Sequence, residues 1–193
     1  GDVFAGYVAA QMGLPIERLI VATNVNDILH RALSTGDYSA GTVTPTAAPS
    51  MDIQVSSNFE RLLFEMNNRD GSATAQQLQR FRTNGELMVE PDQYSTWITP
   101  TFRAHRSTDS ETLAVMKRMY NEHKMLVDPH TAIGIAAAEE FAVRGTPMIT
   151  LATAHPAKFP DAVEKATGVR PGLPEHVADL FERNERIVNL PND

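Results

Sequence analysis

The sequence predicts an α/β fold, and three observations carry that reading. Near its start a helical pattern, a short apolar run and a second helical pattern follow one another, the alternation that builds parallel sheets. Near its end a second apolar run, Met148-Ile149-Thr150-Leu151-Ala152, is bounded by Pro147 and hands over to a helix at Pro156. Between the two, the periodicity is helical almost throughout. The expected architecture is three-layered (helix, sheet, helix), with a mostly parallel sheet and a largely helical middle region.

Val3, Phe4, Tyr7, Val8 and Met12 recur at helical spacing, so residues 2–12 form an amphipathic helix stopped by Gly13 and Pro15. Arg18 to Ala22 reads as a parallel strand covered on both faces. The turn Thr23 to Asp27 caps a second helix with Ile28, Leu29, Ala32 and Leu33, ended by Gly36. Gly41, Pro45 and Pro49 punctuate a loop, and Met51 to Val55 reads as extended. Ser57-Asn58-Phe59-Glu60 has the spacing of a capping box, opening a helix with Phe59, Leu62, Leu63 and Met66 on one face. Asn67, Asn68, Asp70 and Gly71 break it, and residues 72–88 read as one or two polar helices.

Glu90-Pro91-Asp92 starts a short helix through Trp97, before an extended stretch from Thr99 to His105. Thr108-Asp109-Ser110-Glu111 is a second capping box, and its helix carries Leu113, Met116 and Tyr120. Asp128-Pro129 places a cap and a first-position proline on a helix through Ile133, Ala137 and Phe141 to Arg144-Gly145. Its Gly134, Ala136, Ala137 and Ala138 suit close packing on the sheet. The strand Met148 to Ala152 then leads into a helix over 157–166, closed by Gly168. A last helix from Pro174 and an edge strand from Arg186 to Leu190 complete the chain. The expected organisation is an α/β segment over 1–55, a mostly helical insertion or subdomain over 56–125, and a second α/β segment over 126–193.

Composition narrows the function. A chain of 193 residues with 42% hydrophobic and 21% charged residues has the make-up of a globular domain. A net charge of −7 opposes nonspecific nucleic-acid binding, which needs a basic footprint. No apolar stretch is long enough to span a bilayer, and no membrane partner is expected. Without cysteine there are no disulfides, thiolate nucleophiles or cysteine zinc sites, and a cytoplasmic location is the expectation.

The six histidines show no helical pair flanking a glutamate; His123 and His130 lie seven apart with a proline between, so no metal site is expected. There is no Gly-x-Ser-x-Gly elbow, Walker loop or Gly-x-Gly-x-x-Gly fingerprint. The neighbours Glu139 and Glu140 point in different directions from a helix and read as a solvated face. Two features remain. One is the helix start at Gly1-Asp2, where free amides and the helix dipole suit an anion, or where Asp2 is a plain cap. The other is the turn from Thr153 to Lys158, placed where a strand hands over to a helix and where open α/β sheets bind ligands. Thr153 and His155 also have a plain reading there, as a strand-end hydroxyl and a satisfied turn histidine. Pattern alone reaches an α/β domain with a site near 153–158.

Several stretches go further. Gly1-Asp2-Val3-Phe4-Ala5-Gly6-Tyr7, Leu19-Ile20-Val21-Ala22-Thr23-Asn24 with Asn26-Asp27-Ile28-Leu29, and Ser50 through Arg61 resemble the threonine synthase family. So do Asp128-Pro129-His130-Thr131-Ala132-Ile133-Gly134 and Leu151 through Phe159. The resemblance runs the whole length and covers the C-terminal part of that enzyme. It implies a fold-type II, tryptophan-synthase-like architecture and the cofactor pyridoxal 5'-phosphate (PLP). The implied reaction converts O-phospho-L-homoserine and water to L-threonine and phosphate.

The family's phosphate loop reads Gly-Asn-Phe-Gly-Asp, and its last two residues match Gly1 and Asp2. Thr153 matches the hydroxyl that bonds the pyridine nitrogen of PLP. His155, Lys158, Asp128 and His130 fall near the implied site. The Schiff-base lysine belongs to the N-terminal part, so no catalytic residue is expected in this chain, which is expected to be inactive without that part. Two other readings stay open: a related PLP enzyme acting on another substituted amino acid, and a noncatalytic binding or regulatory domain.

Overall fold

A computed structural model describes residues 1–191. It begins with helix α1 (Asp2–Gln11), strand β1 (Leu19–Thr23) and helix α2 (Ile28–Thr35). Gly36 ends α2 in the left-handed conformation, at φ 81°, which glycine adopts without steric penalty. Helices α3 (Phe59–Met66), α4 (Gly71–Asn84) and the single turn α5 (Pro91–Gln93) follow, with a π-helical turn over Tyr94–Ile98. Strand β2 (Phe102–Arg106) leads to α6 (Asp109–His123), α7 (Pro129–Phe141) and α8 (Pro160–Thr167).

β1 and β2 pair in parallel, from Leu19 opposite Phe102 to Thr23 opposite Arg106. Both strands therefore end at the same edge. Side chains from α1, α2, α3 and α4 close one buried cluster over the pair, with Phe59, Leu62, Leu63 and Met66 of α3 all inside it. A second cluster joins α6, α7 and α8 through Met116, Val127, Ala132 and Val163. Burying each of these large apolar side chains contributes roughly 1.5–3 kcal/mol. Glycine sets the closest approaches. A Cβ on Gly6 would lie 2.7 Å from Leu19 Cδ2, and one on Gly134 would lie 3.1 Å from Thr150 Cγ2. So α1 rides close on β1, and α7 close on the segment around Thr150.

The α/β class and the parallel pairing agree with the sequence, but the sheet is smaller than expected. Among the described residues it has two strands. Met148 to Ala152 is not a strand; Ile149 is 81% exposed, and no backbone hydrogen bond ties the segment to a neighbour. A strand needs a partner backbone, and none of the described residues supplies one. For the same reason Arg186 to Leu190 forms no edge strand, and Met51 to Val55 forms no strand, Met51 being the last residue of a 3₁₀ turn over Pro49–Met51.

Local signals fared unevenly. The Thr108–Glu111 capping box forms in full, with Thr108 accepting from the Glu111 amide and Glu111 accepting from the Thr108 amide. At Ser57 the box does not form; α3 starts after a turn closed by the Glu60 amide on the Ser57 carbonyl. Helix α7 ends at Phe141, before Arg144-Gly145, and the segment after Pro174 makes two 3₁₀ turns instead of a helix. No helix among the described residues is long and apolar enough to cross a membrane.

Candidate functional site

The carboxyl edge of the parallel pair is where an α/β sheet offers room for a ligand. The chain leaves β1 there through Asn24 and Asn26, both buried. Asn24 Nδ2 donates to Asp52 Oδ1 (2.7 Å) and Thr46 Oγ1 (2.8 Å). Asn26 Nδ2 donates to the same Asp52 oxygen (3.0 Å) and to the Thr44 carbonyl (2.8 Å). Thr46 returns both its amide and its hydroxyl to Asp52, and the Ala47 amide bonds the Asp109 carboxylate at the start of α6. Residues 44–52 are thus fastened across the end of β1. By pattern alone Asn24 and Asn26 belong to a helix-capping turn; two asparagines spaced two apart after a strand are the signal that the sequence offers.

The start of α7 borders the same loop. Asp128, fully buried, caps the helix by accepting from the amides of His130 (2.9 Å) and Thr131 (3.4 Å). It also accepts from His130 Nδ1 (2.8 Å) and from the Thr131 hydroxyl. Burial alone pushes this carboxyl upward. The bonds from the His130 ring, the Thr131 hydroxyl and the His130 amide outweigh that and hold it below its ordinary value. The other ring nitrogen, His130 Nε2, accepts from the Ser50 amide at 3.1 Å. The His130 ring also sits 4.6 Å from that of Phe159, tilted by 53°.

Phe159 closes the 3₁₀ turn Pro156–Lys158, which His155 caps by accepting the Ala157 amide on Nδ1. Thr153, His155 and Lys158 are exposed, and among the described residues Thr153 makes no hydrogen bond. Gly1 and Asp2 are exposed at the head of α1, with no side-chain cap on its first-turn amides. Sequence-predicted residues therefore fall into three places: the α1 start, the exposed turn from Thr153, and the buried Asp128–His130 pair. The pair and the turn are joined through Phe159.

A further cluster lies between β2 and α7. His105 places Nε2 2.8 Å from the Ser107 hydroxyl and Nδ1 on the Glu140 carboxylate. The order serine, histidine, carboxylate is that of a nucleophile relay. Ser107 is only 1% exposed, so its hydroxyl meets no substrate and the trio ties β2 to α7. A cleft of about 550 Å³ between α1 and α3, lined by Phe4, Tyr7, Arg61 and Phe64 among others, holds none of the predicted site residues. No cluster of three or more metal-binding side chains occurs among the described residues.

Comparison with known proteins adds a separate line. Residues 131–193 match the family model described as threonine synthase, C-terminal. The whole chain is 52% identical to threonine synthase from Pseudomonas aeruginosa and covers 41% of that protein. Threonine synthase from Saccharomyces cerevisiae is 40% identical over 86% of the chain and 36% of its own length. A crystal structure of PLP-bound threonine synthase from Brucella melitensis superposes on 95% of the chain and 39% of that protein, with TM-score 0.89 and 51% identity. The yeast threonine synthase structure superposes with TM-score 0.85 and 37% identity, over 95% of this chain and 41% of that one. The chain spans about 40% of the length of the curated relatives it matches.

Proposed function

The chain belongs to the threonine synthase family, whose C-terminal portion it matches, and we propose that it serves that reaction together with an N-terminal portion. The reaction is conversion of O-phospho-L-homoserine and water to L-threonine and phosphate. The observation that carries the reading is the match at 52% identity along the whole of this chain. On this reading residues 1–55 and 126–193 are two segments of the cofactor-binding domain, 56–125 is the helical subdomain, and the protein is cytoplasmic.

Two features of the chain fit pyridoxal 5'-phosphate. The head of α1 offers the amides of Asp2 and Val3, which have no acceptor within the helix and no competing side-chain cap. Such amides, backed by the helix dipole, suit a phosphate. The carboxylate of Asp2 does not, so the backbone amides, rather than the Asp2 side chain, would hold the anion. Thr153 presents an exposed hydroxyl with no hydrogen-bond partner among the described residues, one that would be available to the pyridine nitrogen.

When bound, the cofactor supplies an electron sink for the carbon atoms next to the substrate amine. Thr153 would bond the ring nitrogen through a neutral hydroxyl, which, unlike a carboxylate, would not hold a proton there. Asp128 and His130 hold the start of α7 against the loop at Ser50 and the ring of Phe159. His155 fixes the turn that carries Thr153, and Lys158 puts a positive charge beside it. The Schiff-base lysine comes from the N-terminal portion. The exposed run Met148 to Ala152 pairs there with strands of that portion, which accounts for its apolar surface.

The test is turnover by the intact protein, read as threonine formed and phosphate released from O-phospho-L-homoserine. Turnover of a different substituted amino acid in its place would assign a related enzyme. Cofactor binding without turnover of any amino acid would favour a regulatory domain. Covalent attachment of the cofactor to this chain alone after borohydride treatment, read by mass, would overturn the assignment of the lysine elsewhere.

A further inference from the structure

We infer that His130 is a positioning residue that locks the loop across the end of β1 to the turn carrying Thr153, an inference that rests on the proposed reaction. Both of its ring nitrogens are committed. The Ser50 amide can only donate, so Nε2 is the acceptor and carries no proton. Nδ1 then holds the ring proton and gives it to Asp128 Oδ1 at 2.8 Å. With 6% of its surface exposed and no free nitrogen, the ring has nothing left to exchange a proton with a substrate. Its chemistry is spent on holding three pieces of chain in place.

Each piece matters to the site. Asp128 belongs to the helix start, so the ring's orientation is set by the capping of α7. Ser50 lies 80 residues away in sequence and two before Asp52, the carboxylate that gathers Asn24, Asn26 and Thr46. The ring face meets Phe159, which closes the turn following Thr153. One side chain therefore sets the spacing between the wall over β1 and the turn that presents the Thr153 hydroxyl. Misplacing a positioned group by about 1 Å can reduce a rate on the order of a hundredfold.

The two amide side chains separate the bonds. A glutamine at 130 carries an oxygen near the depth of Nε2 and can accept from Ser50. An asparagine reaches only the depth of Nδ1, where it can donate to Asp128 but leaves the Ser50 amide without an acceptor. In the intact enzyme, His130→Asn is expected to lower kcat about tenfold or more while KM stays within about threefold. Exchange of the Ser50 amide should quicken about tenfold, and His130→Gln should recover most of both effects. Phe159→Leu leaves both hydrogen bonds in place, so it should lower kcat without changing Ser50 exchange.

Equal kcat in the asparagine and wild-type enzymes would overturn the inference, as would Ser50 exchange that ignores residue 130. If the intact wild-type protein forms no threonine, the proposed reaction fails. The exchange measurements still decide whether His130 holds Ser50.

Discussion

Replacing Asp128 by alanine removes four hydrogen bonds held by a fully buried carboxylate. Its carboxylate caps α7 through the His130 and Thr131 amides and also accepts from the His130 ring and the Thr131 hydroxyl. Loss of the cap alone costs about 1 kcal/mol. The His130 Nδ1 proton is then stranded in a residue 6% exposed, and an unsatisfied buried donor costs roughly 1–3 kcal/mol. The Thr131 hydroxyl adds up to about 1 kcal/mol, because it can turn to another acceptor. Asp128→Ala should therefore destabilise by about 2–5 kcal/mol in urea unfolding followed by far-ultraviolet circular dichroism.

Asp128→Asn keeps one oxygen for the cap and should lose about half as much. The pH dependence has a definite sign. The folded carboxyl is held below its ordinary value of 3.8, so its contribution is fully present above that value. It fades as pH falls through the lower folded value. The gap between wild type and Asp128→Asn should narrow below about pH 4. A cost under about 1 kcal/mol for alanine, or a gap that widens in acid, would refute the account.

The contact between Gly134 and Thr150 predicts a coupled pair. Alanine at 134 gains up to about 1 kcal/mol of helix propensity but presses a Cβ to 3.1 Å from Thr150 Cγ2, so the gain should appear only when Thr150→Ser removes that methyl. A double-mutant cycle showing no coupling in urea unfolding removes the contact from the argument. Thr153→Val should change stability by less than about 0.5 kcal/mol, because the side chain is exposed, yet cut turnover of the intact enzyme about tenfold. Unchanged turnover would take Thr153 out of the site. Burial holds the His30 imidazole below its ordinary 6.5, with Arg106 and His105 adding to the effect and Asp27 and Glu140 opposing it. The unfolded chain then binds the extra proton first, so stability should decline as pH drops through about 6.5 toward the folded value. His30→Gln should flatten that slope in urea titrations at stepped pH.

What could be read from the sequence divides along a physical line. Signals closed within one helical turn were legible: the left-handed Gly36 stop, the Thr108–Glu111 box and the Asp128-Pro129 start all stand. Ser57-Asn58-Phe59-Glu60 has the same spacing as a working box, yet a backbone turn takes its place, since spacing alone does not choose between a side-chain and a main-chain acceptor. Pairings across distance were not legible. The stretch Thr99 to His105 read as extended, but nothing local says that it lies beside Leu19–Thr23. Met148 to Ala152 failed in the opposite way: its composition is that of a strand, and composition cannot provide the second backbone that makes one.

The same line runs through the site. Asp128 stands out in the sequence as a helix cap and Thr153 as the residue after an apolar run that reads as a strand, whereas His130 enters only with the family resemblance. The neighbours that give two of them a role, Ser50 and Phe159, lie 80 residues before His130 and 29 residues after it. Asn24 and Asn26 look like ordinary turn formers until Asp52 arrives from a loop without periodicity. That loop has no regular structure of its own beyond one 3₁₀ turn, so its order must come from the side chains that hold it. Asp109, Asp52 and His130 each hold it at a different residue, which makes a rigid wall out of a segment rich in proline and threonine. Loosening any one of the three should leave the other two bearing on the same backbone. Single substitutions there ought to shift alignment before they cause unfolding.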